Sequence, residues 1–134
     1  MSSIFSKIIS GEIPCHQISE SDLYFAFLDI SPLSKGHVLI VPKREVDKYF
    51  DLNTEEISGI NIFAKKIAVA IEKAIPCKRV GVAIIGLEVP HAHMHLIPLN
   101  SVEDINFERK KLSLSEVEFK EIAESIKYQL KNLK

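Results

Sequence analysis

The sequence predicts an α+β fold in which an antiparallel sheet carries its helices on one side, and three observations lead there. Apolar residues recur at helical spacing in two long stretches, one from Asn53 to Ile75 and one from Ser115 to the C-terminus. The remaining apolar residues fall in short runs rich in β-branched and aromatic side chains. Those runs bunch on either side of the longer helix with short corners between them, which suits antiparallel pairing better than a regular alternation of strand and helix.

The elements follow in order. Ser2 or Ser3 caps a short helix with an apolar stripe of Ile4, Phe5, Ile8 and Ile9, and Gly11 and Pro14 end it. Cys15 to Ile18 reads as a short strand, and Leu23 to Leu28 as a buried one that stops at the turn-prone Asp29-Ile30-Ser31-Pro32. After the Lys35-Gly36 corner, His37 to Pro42 is a nearly continuous apolar strand. Asn53 caps the longest helix, with Glu56 three residues on to close a capping box, and Pro76 stops it. Arg79 to Ile85 is too β-branched to be helical and reads as a buried strand; Gly86 to Pro90 then turns the chain into a neighbouring antiparallel strand ending at Leu99. Ser101 to Lys111 is polar and irregular, and Ser115 with Glu118 opens the last helix, striped by Phe119, Ile122, Ala123, Ile126, Leu130 and Leu133.

A chain of 134 residues with 46% hydrophobic and 26% charged residues reads as one globular domain, 1–134, large enough to hold a core without disulfides. Seventeen basic against eighteen acidic residues give a net charge of -1, too balanced for a general nucleic-acid binder. Cys15 and Cys77 lie far apart and read as ordinary intracellular thiols. With no signal-peptide plan and no stretch of membrane-spanning length, the expected location is the cytoplasm, away from the membrane.

The chemistry concentrates in one segment. Three of the five histidines, His91, His93 and His95, stand at two-residue spacing, with Ala92, Met94 and Leu96 between them. On an extended strand the imidazoles project to one face and the apolar residues to the other. Nothing in a core needs three titratable rings side by side, whereas an anion or a metal does. In one reading an imidazole attacks phosphorus while its neighbours donate to the developing charge. In the other the alternating histidines hold a transition metal, for which Glu88 is the only acid nearby in sequence. His16 stands alone and reads as an ordinary surface or hydrogen-bonding residue.

The run His91-Ala92-His93-Met94-His95-Leu96-Ile97 resembles the signature of the histidine triad family of nucleotide hydrolases and transferases. The likeness continues in Ile4-Phe5, Ile8, Gly11-Glu12-Ile13-Pro14, Phe27-Leu28-Asp29-Ile30-Ser31-Pro32, Gly36-His37 and Val41-Pro42-Lys43, in family order, and covers residues 2–99. It implies a sheet of about five strands and cleavage at the α-phosphate of a nucleoside phosphoramidate or related nucleotide through a nucleotidyl-histidine intermediate. By position, His93 is the nucleophile, His91 and His95 contact phosphate and leaving group, and His37 completes the network. Asp29 holds the ribose hydroxyls, and Ile4, Phe5, Ile8, Phe27 and Ile30 line the base slot. Without the resemblance, Asp29 reads as a turn cap and the five apolar residues as core. The resemblance also implies a homodimer formed through the long helix and the adjoining strand.

Three departures qualify the likeness. Many relatives carry two cysteines in the first helix with a zinc bound; Ser3 and Ser6 occupy those places here, and hydroxyls are weak zinc ligands, so no metal and no cofactor are expected. The loop before the triad, Gly86 to Pro90, lacks the asparagine and the glycine-glutamine-serine run of the purine phosphoramidases. A low-turnover nucleotide-binding protein is therefore the alternative to an enzyme. Finally, the segment from Asn100 onward does not match the phosphoramidase C-terminus, and Glu88 is expected to stay solvated.

Overall fold

A computed structural model describes residues 2–133. Five strands form one antiparallel sheet in the order β1-β2-β3-β5-β4: β1 Gln17–Glu20, β2 Tyr24–Leu28, β3 Val38–Pro42, β4 Arg79–Ala83 and β5 Met94–Leu99. Helices α1 (Ile4–Ile9), α2 (Thr54–Ala74) and α3 (Glu116–Lys131) complete the α+β architecture that the sequence predicts.

The period of the strands divides the core in two. Tyr24, Ala26 and Leu28, Val38 and Ile40, and Met94 and Leu96 point to one face, where Ile60, Ala64, Ile67 and Ile71 of α2 and Phe119, Ile122 and Ile126 of α3 cover them. Phe25, Phe27, Leu39 and Val41 point to the other face and meet Phe5 of α1. The sequence leads one to expect all helices on one side; instead α1 covers the second face, because β2 and β3 are apolar on both faces and need cover on both. That second face carries the histidines.

Both long helices start as expected. Asn53 accepts the Glu56 N–H and Ser115 the Glu118 N–H, each inside a complete capping box. Helix α2 lies so close to β2 that a β-carbon at Gly59 would overlap the buried Tyr24 hydroxyl, which donates to the Glu56 carbonyl at 3.1 Å. Gly59→Ala is expected to destabilise the fold by about 2 kcal/mol despite the better helix propensity of alanine, because the rigid ring has no room to retreat. The urea midpoint of the variant checks it.

Three boundaries differ from the expectation. Strand β1 runs over Gln17–Glu20 rather than from Cys15 to Ile18, and its register slips between Gln17 and Ser19. Strand β4 ends at Ala83 and is half exposed rather than buried, because it is an edge strand with only β5 beside it. Most consequential, β5 begins at Met94, so of the triad only His95 lies on the strand. The reason is local: the Ala92 N–H is taken by the Val46 carbonyl at 2.6 Å and the Pro42 carbonyl by a histidine side chain, so β3 pairs with β5 only from Ile40 to Val38. No helix among the described residues is long and apolar enough to cross a membrane.

Candidate active site

The site lies where β3, β5, the segment entering β5 and α1 converge. His95 projects from β5 on the face it shares with its cross-strand partner Leu39. His37 immediately precedes β3 and is 1% exposed, while His91 is fully buried. The His93 ring stands 5.0 Å from that of His95 and 5.0 Å from that of Phe5. The structure therefore brings all four predicted histidines together, although not as one row on a strand.

Their hydrogen bonds fix which ring nitrogen carries a proton. The backbone N–H of Leu33 donates to His37 Nδ1 at 3.0 Å, so neutral His37 is protonated at Nε2, which faces His95 Nδ1 at 2.9 Å. His95 accepts there and is left with Nε2–H as its free donor. His91 donates from Nε2 to the Pro42 carbonyl at 2.7 Å and has Nδ1 2.7 Å from the Ser3 hydroxyl. His93 donates from Nδ1 to the His91 carbonyl at 2.8 Å. Its Nε2 lone pair is consequently the one imidazole lone pair of the cluster without a partner.

Burial favours the neutral form of His37, His93 and His95. Desolvation, reinforced by His95 and Lys111, pushes His37 down to about 3, and desolvation with His93 nearby pushes His95 down to about 4. His93 is lowered too, chiefly by burial, against the opposing pull of its bond to the His91 carbonyl.

Asp29 follows β2 and is partly buried. Its Oδ1 accepts the Ser31 N–H at 2.8 Å, the turn-cap role, and its Oδ2 stands 3.6 Å from His37 Nε2. Burial raises its pKa. The five apolar slot residues divide: Phe5 and Phe27 are buried in edge contact at 5.6 Å, Ile8 packs beside them, and Ile4 and Ile30 are 49% and 71% exposed. Glu88 is solvated as expected, and His16 stacks on Phe119 at 5.2 Å to hold α3 against the sheet.

Two sets of residues invite a metal, and neither fits one as it stands. Asp29, His37 and His95 gather their donor atoms within 4.8 Å of one another, but the two ring nitrogens at 2.9 Å share a proton and lie closer than two ligands on one zinc. At the place of the two cysteines, Ser3 Oγ bonds His91 Nδ1 at 2.7 Å and Ser6 Oγ donates to Glu45 Oε1 at 2.7 Å. Those donors are spent on each other.

Sequence reading missed Glu45 and Phe107. The ring of Phe107 packs edge-on against His95 at 4.7 Å and against His37 at 6.2 Å. It is carried by a strap over residues 101–112, fastened by Arg109 to the Leu33 carbonyl at 2.7 Å and by the Leu112 N–H to the Pro32 carbonyl at 2.8 Å. An aromatic residue alone in a polar stretch was the available signal.

Comparison with known proteins points to one family. The chain is 42% identical over 100 residues to the adenosine 5'-monophosphoramidase hnt1 of Schizosaccharomyces pombe, covering 73% of this chain and 74% of that protein. It is 34% identical over 131 residues to a HIT-like protein of Borreliella burgdorferi, covering 92% and 94%. Among solved structures, a HIT-like protein of Bartonella henselae superposes with a TM-score of 0.82 at 28% identity, covering 96% of each chain. A zinc-bound histidine triad family protein of Mycobacterium smegmatis superposes at 0.81 with 25% identity, covering 98% and 94%. Residues 10–102 match the HIT domain, and with relatives of this identity and coverage the chain belongs to the HIT family.

Proposed function

We propose that this protein cleaves a nucleoside 5'-phosphoramidate or related nucleotide at the α-phosphate, with His93 as nucleophile. The observation that carries the reading is the unpartnered Nε2 lone pair of His93, held in one tautomer by the His91 carbonyl. The names of the phosphoramidase relatives in Schizosaccharomyces pombe and Saccharomyces cerevisiae support an adenosine-type substrate.

In the first step His93 Nε2 forms a bond to phosphorus as the phosphorus–nitrogen bond breaks, its electron pair leaving with the amine, which takes its proton from solvent. The ring then carries a positive charge that the His91 carbonyl stabilises through Nδ1–H. His95 donates a hydrogen bond from Nε2 to the phosphoryl oxygens and keeps its proton, since His37 already donates to its Nδ1. Water then attacks phosphorus, returns the pair to Nε2, releases a proton to solvent and frees the nucleoside monophosphate. His91 acts from behind, through its carbonyl. The unengaged lone pairs of Asp29 accept the ribose hydroxyls, and exposed Ile4 and Ile30 with buried Phe5, Ile8 and Phe27 form the base slot. No resident metal or cofactor takes part.

A homodimer is part of this reading. The open edge of β4 and its flank expose Val82, Ile84 and Ile85, and α2 exposes Ile62 and Val69, an apolar surface that a second copy would cover. One observation favours the low-turnover binding protein instead: the loop 86–90 before the triad is largely exposed, with Leu87 88% accessible, and offers no side-chain amide to the phosphate.

Intact-protein mass spectrometry after a short acid-free quench with adenosine 5'-phosphoramidate separates the two. A gain of one adenylyl group in the wild type and none in His93→Ala is the expected result. No gain in either, with no product formed, would favour the binding protein.

A further inference from the structure

We propose that Glu45 is a positioning residue for the nucleophile, acting on His93 through Ser3 and His91. The inference rests on the reading of His93 as nucleophile. Glu45 follows β3 on an exposed loop, outside the triad and outside every motif picked out from the sequence.

One oxygen of Glu45, Oε1, accepts the Ser3 backbone N–H and the Ser6 hydroxyl, each at 2.7 Å. These two bonds hold its carboxyl below the usual carboxylate range, so it is ionised at neutral pH. They also decide where the serine protons go. With the Ser6 hydroxyl committed to Glu45, the Ser3 hydroxyl accepts the Ser6 N–H at 3.0 Å and gives its own proton to His91 Nδ1 at 2.7 Å, a shorter path than the 3.4 Å to the Ser6 oxygen. Accepting at Nδ1 leaves His91 protonated at Nε2, which fastens it to the Pro42 carbonyl. Ring and backbone are then both fixed, and the His91 carbonyl is aimed at His93 Nδ1.

The relay thus runs from an exposed carboxylate to the tautomer of the nucleophile without a metal, and no buried side-chain polar atom among the described residues lacks a partner. If Glu45 only tethered the start of α1, its loss would change stability and leave His93 untouched. If it positions, its loss frees the Ser6 hydroxyl to compete for His91 and lets His93 sample the other tautomer, in which Nε2 is protonated and cannot attack.

The test is 15N NMR of the imidazole nitrogens in histidine-labelled wild type, Glu45→Ala and Glu45→Gln, with steady-state kinetics on adenosine 5'-phosphoramidate. In wild type, His93 should show a protonated Nδ1 and an unprotonated Nε2. In Glu45→Ala the two shifts should move toward each other, and kcat should fall about tenfold with KM within about twofold. Glu45→Gln retains an oxygen that accepts both bonds and should keep the wild-type shifts and a kcat within about threefold of wild type. Should Glu45→Ala lose α1, Ser6→Ala removes one arm of the relay and should move the same shifts by a smaller amount. Unchanged His93 shifts in Glu45→Ala, or equal losses in the alanine and glutamine variants, would overturn the proposal. Because the shifts are read without substrate, they decide it even if the wild type shows no turnover and the reading of the function fails.

Discussion

Replacing His93 by alanine is expected to lower turnover of adenosine 5'-phosphoramidate by at least about 10³-fold and to leave nucleoside monophosphate binding within a few-fold of wild type. The size of the loss follows from the engagement of each ring nitrogen. His91 uses both, toward Ser3 and Pro42; His37 uses both, toward Leu33 and His95; His95 accepts at Nδ1 and is protonated at Nε2. No second lone pair stands ready to replace the missing one. Binding is expected to survive because the proposed apolar slot, Asp29 and the His95 donor are untouched. Single-turnover kinetics with calorimetric titration of the monophosphate separates the two effects. Loss of binding in step with turnover would assign His93 to the binding site alone.

Acidification from pH 7.5 to about 5 is expected to lower stability by about 3 kcal/mol, or the melting temperature by about 10 °C, before most carboxylates titrate. His37 and His95 are cations when protonated, and burial holds them at about 3 and about 4 against an ordinary 6.5. Below pH 6.5 the unfolded chain therefore binds protons that the folded chain refuses, and stability falls until the folded pair titrates in turn. Asp29 opposes this, since burial raises its pKa and lets the folded chain keep its proton longer. One carboxyl of raised pKa does not offset two rings so strongly lowered. Thermal melts across this range check the slope, and a His37→Asn/His95→Asn variant is expected to flatten it. An equal melting temperature at pH 7.5 and 5 in wild type would mean that the pair is already charged in the fold.

What was legible in the sequence depended on how far each signal reached along the chain. The capping boxes at Asn53 and Ser115 and the apolar runs of β2 and β3 are read from neighbours, and they held within a residue or two. The start of β5 was misplaced because it turns on long-range partners: the carbonyls of Val46 and Pro42 draw the chain away from the ladder before His93. Two-residue spacing singles out rings that do lie close together, but wrongly puts all three on one strand. Likewise β4 has the composition of a buried strand, and only the sheet order shows that it stands at an edge. Asp29 is both the cap the local sequence suggests and a neighbour of His37, which no local signal reveals. Glu45 and Phe107 escaped notice because their meaning lies wholly in tertiary contacts with His91 by way of Ser3, and with His95.

The bond between Ser3 and His91 joins residues 88 apart in the chain. Closing a loop of that length in a bare chain costs about 4 kcal/mol of entropy, more than one hydrogen bond returns. The contact can therefore form only after the sheet and α2 have already drawn its two ends together. During synthesis the first helix leaves the ribosome long before its partner and must wait, unanchored at that end, for the triad to emerge. The site is accordingly expected to mature late in folding, and a chain with α1 detached would leave His91 without its Ser3 partner.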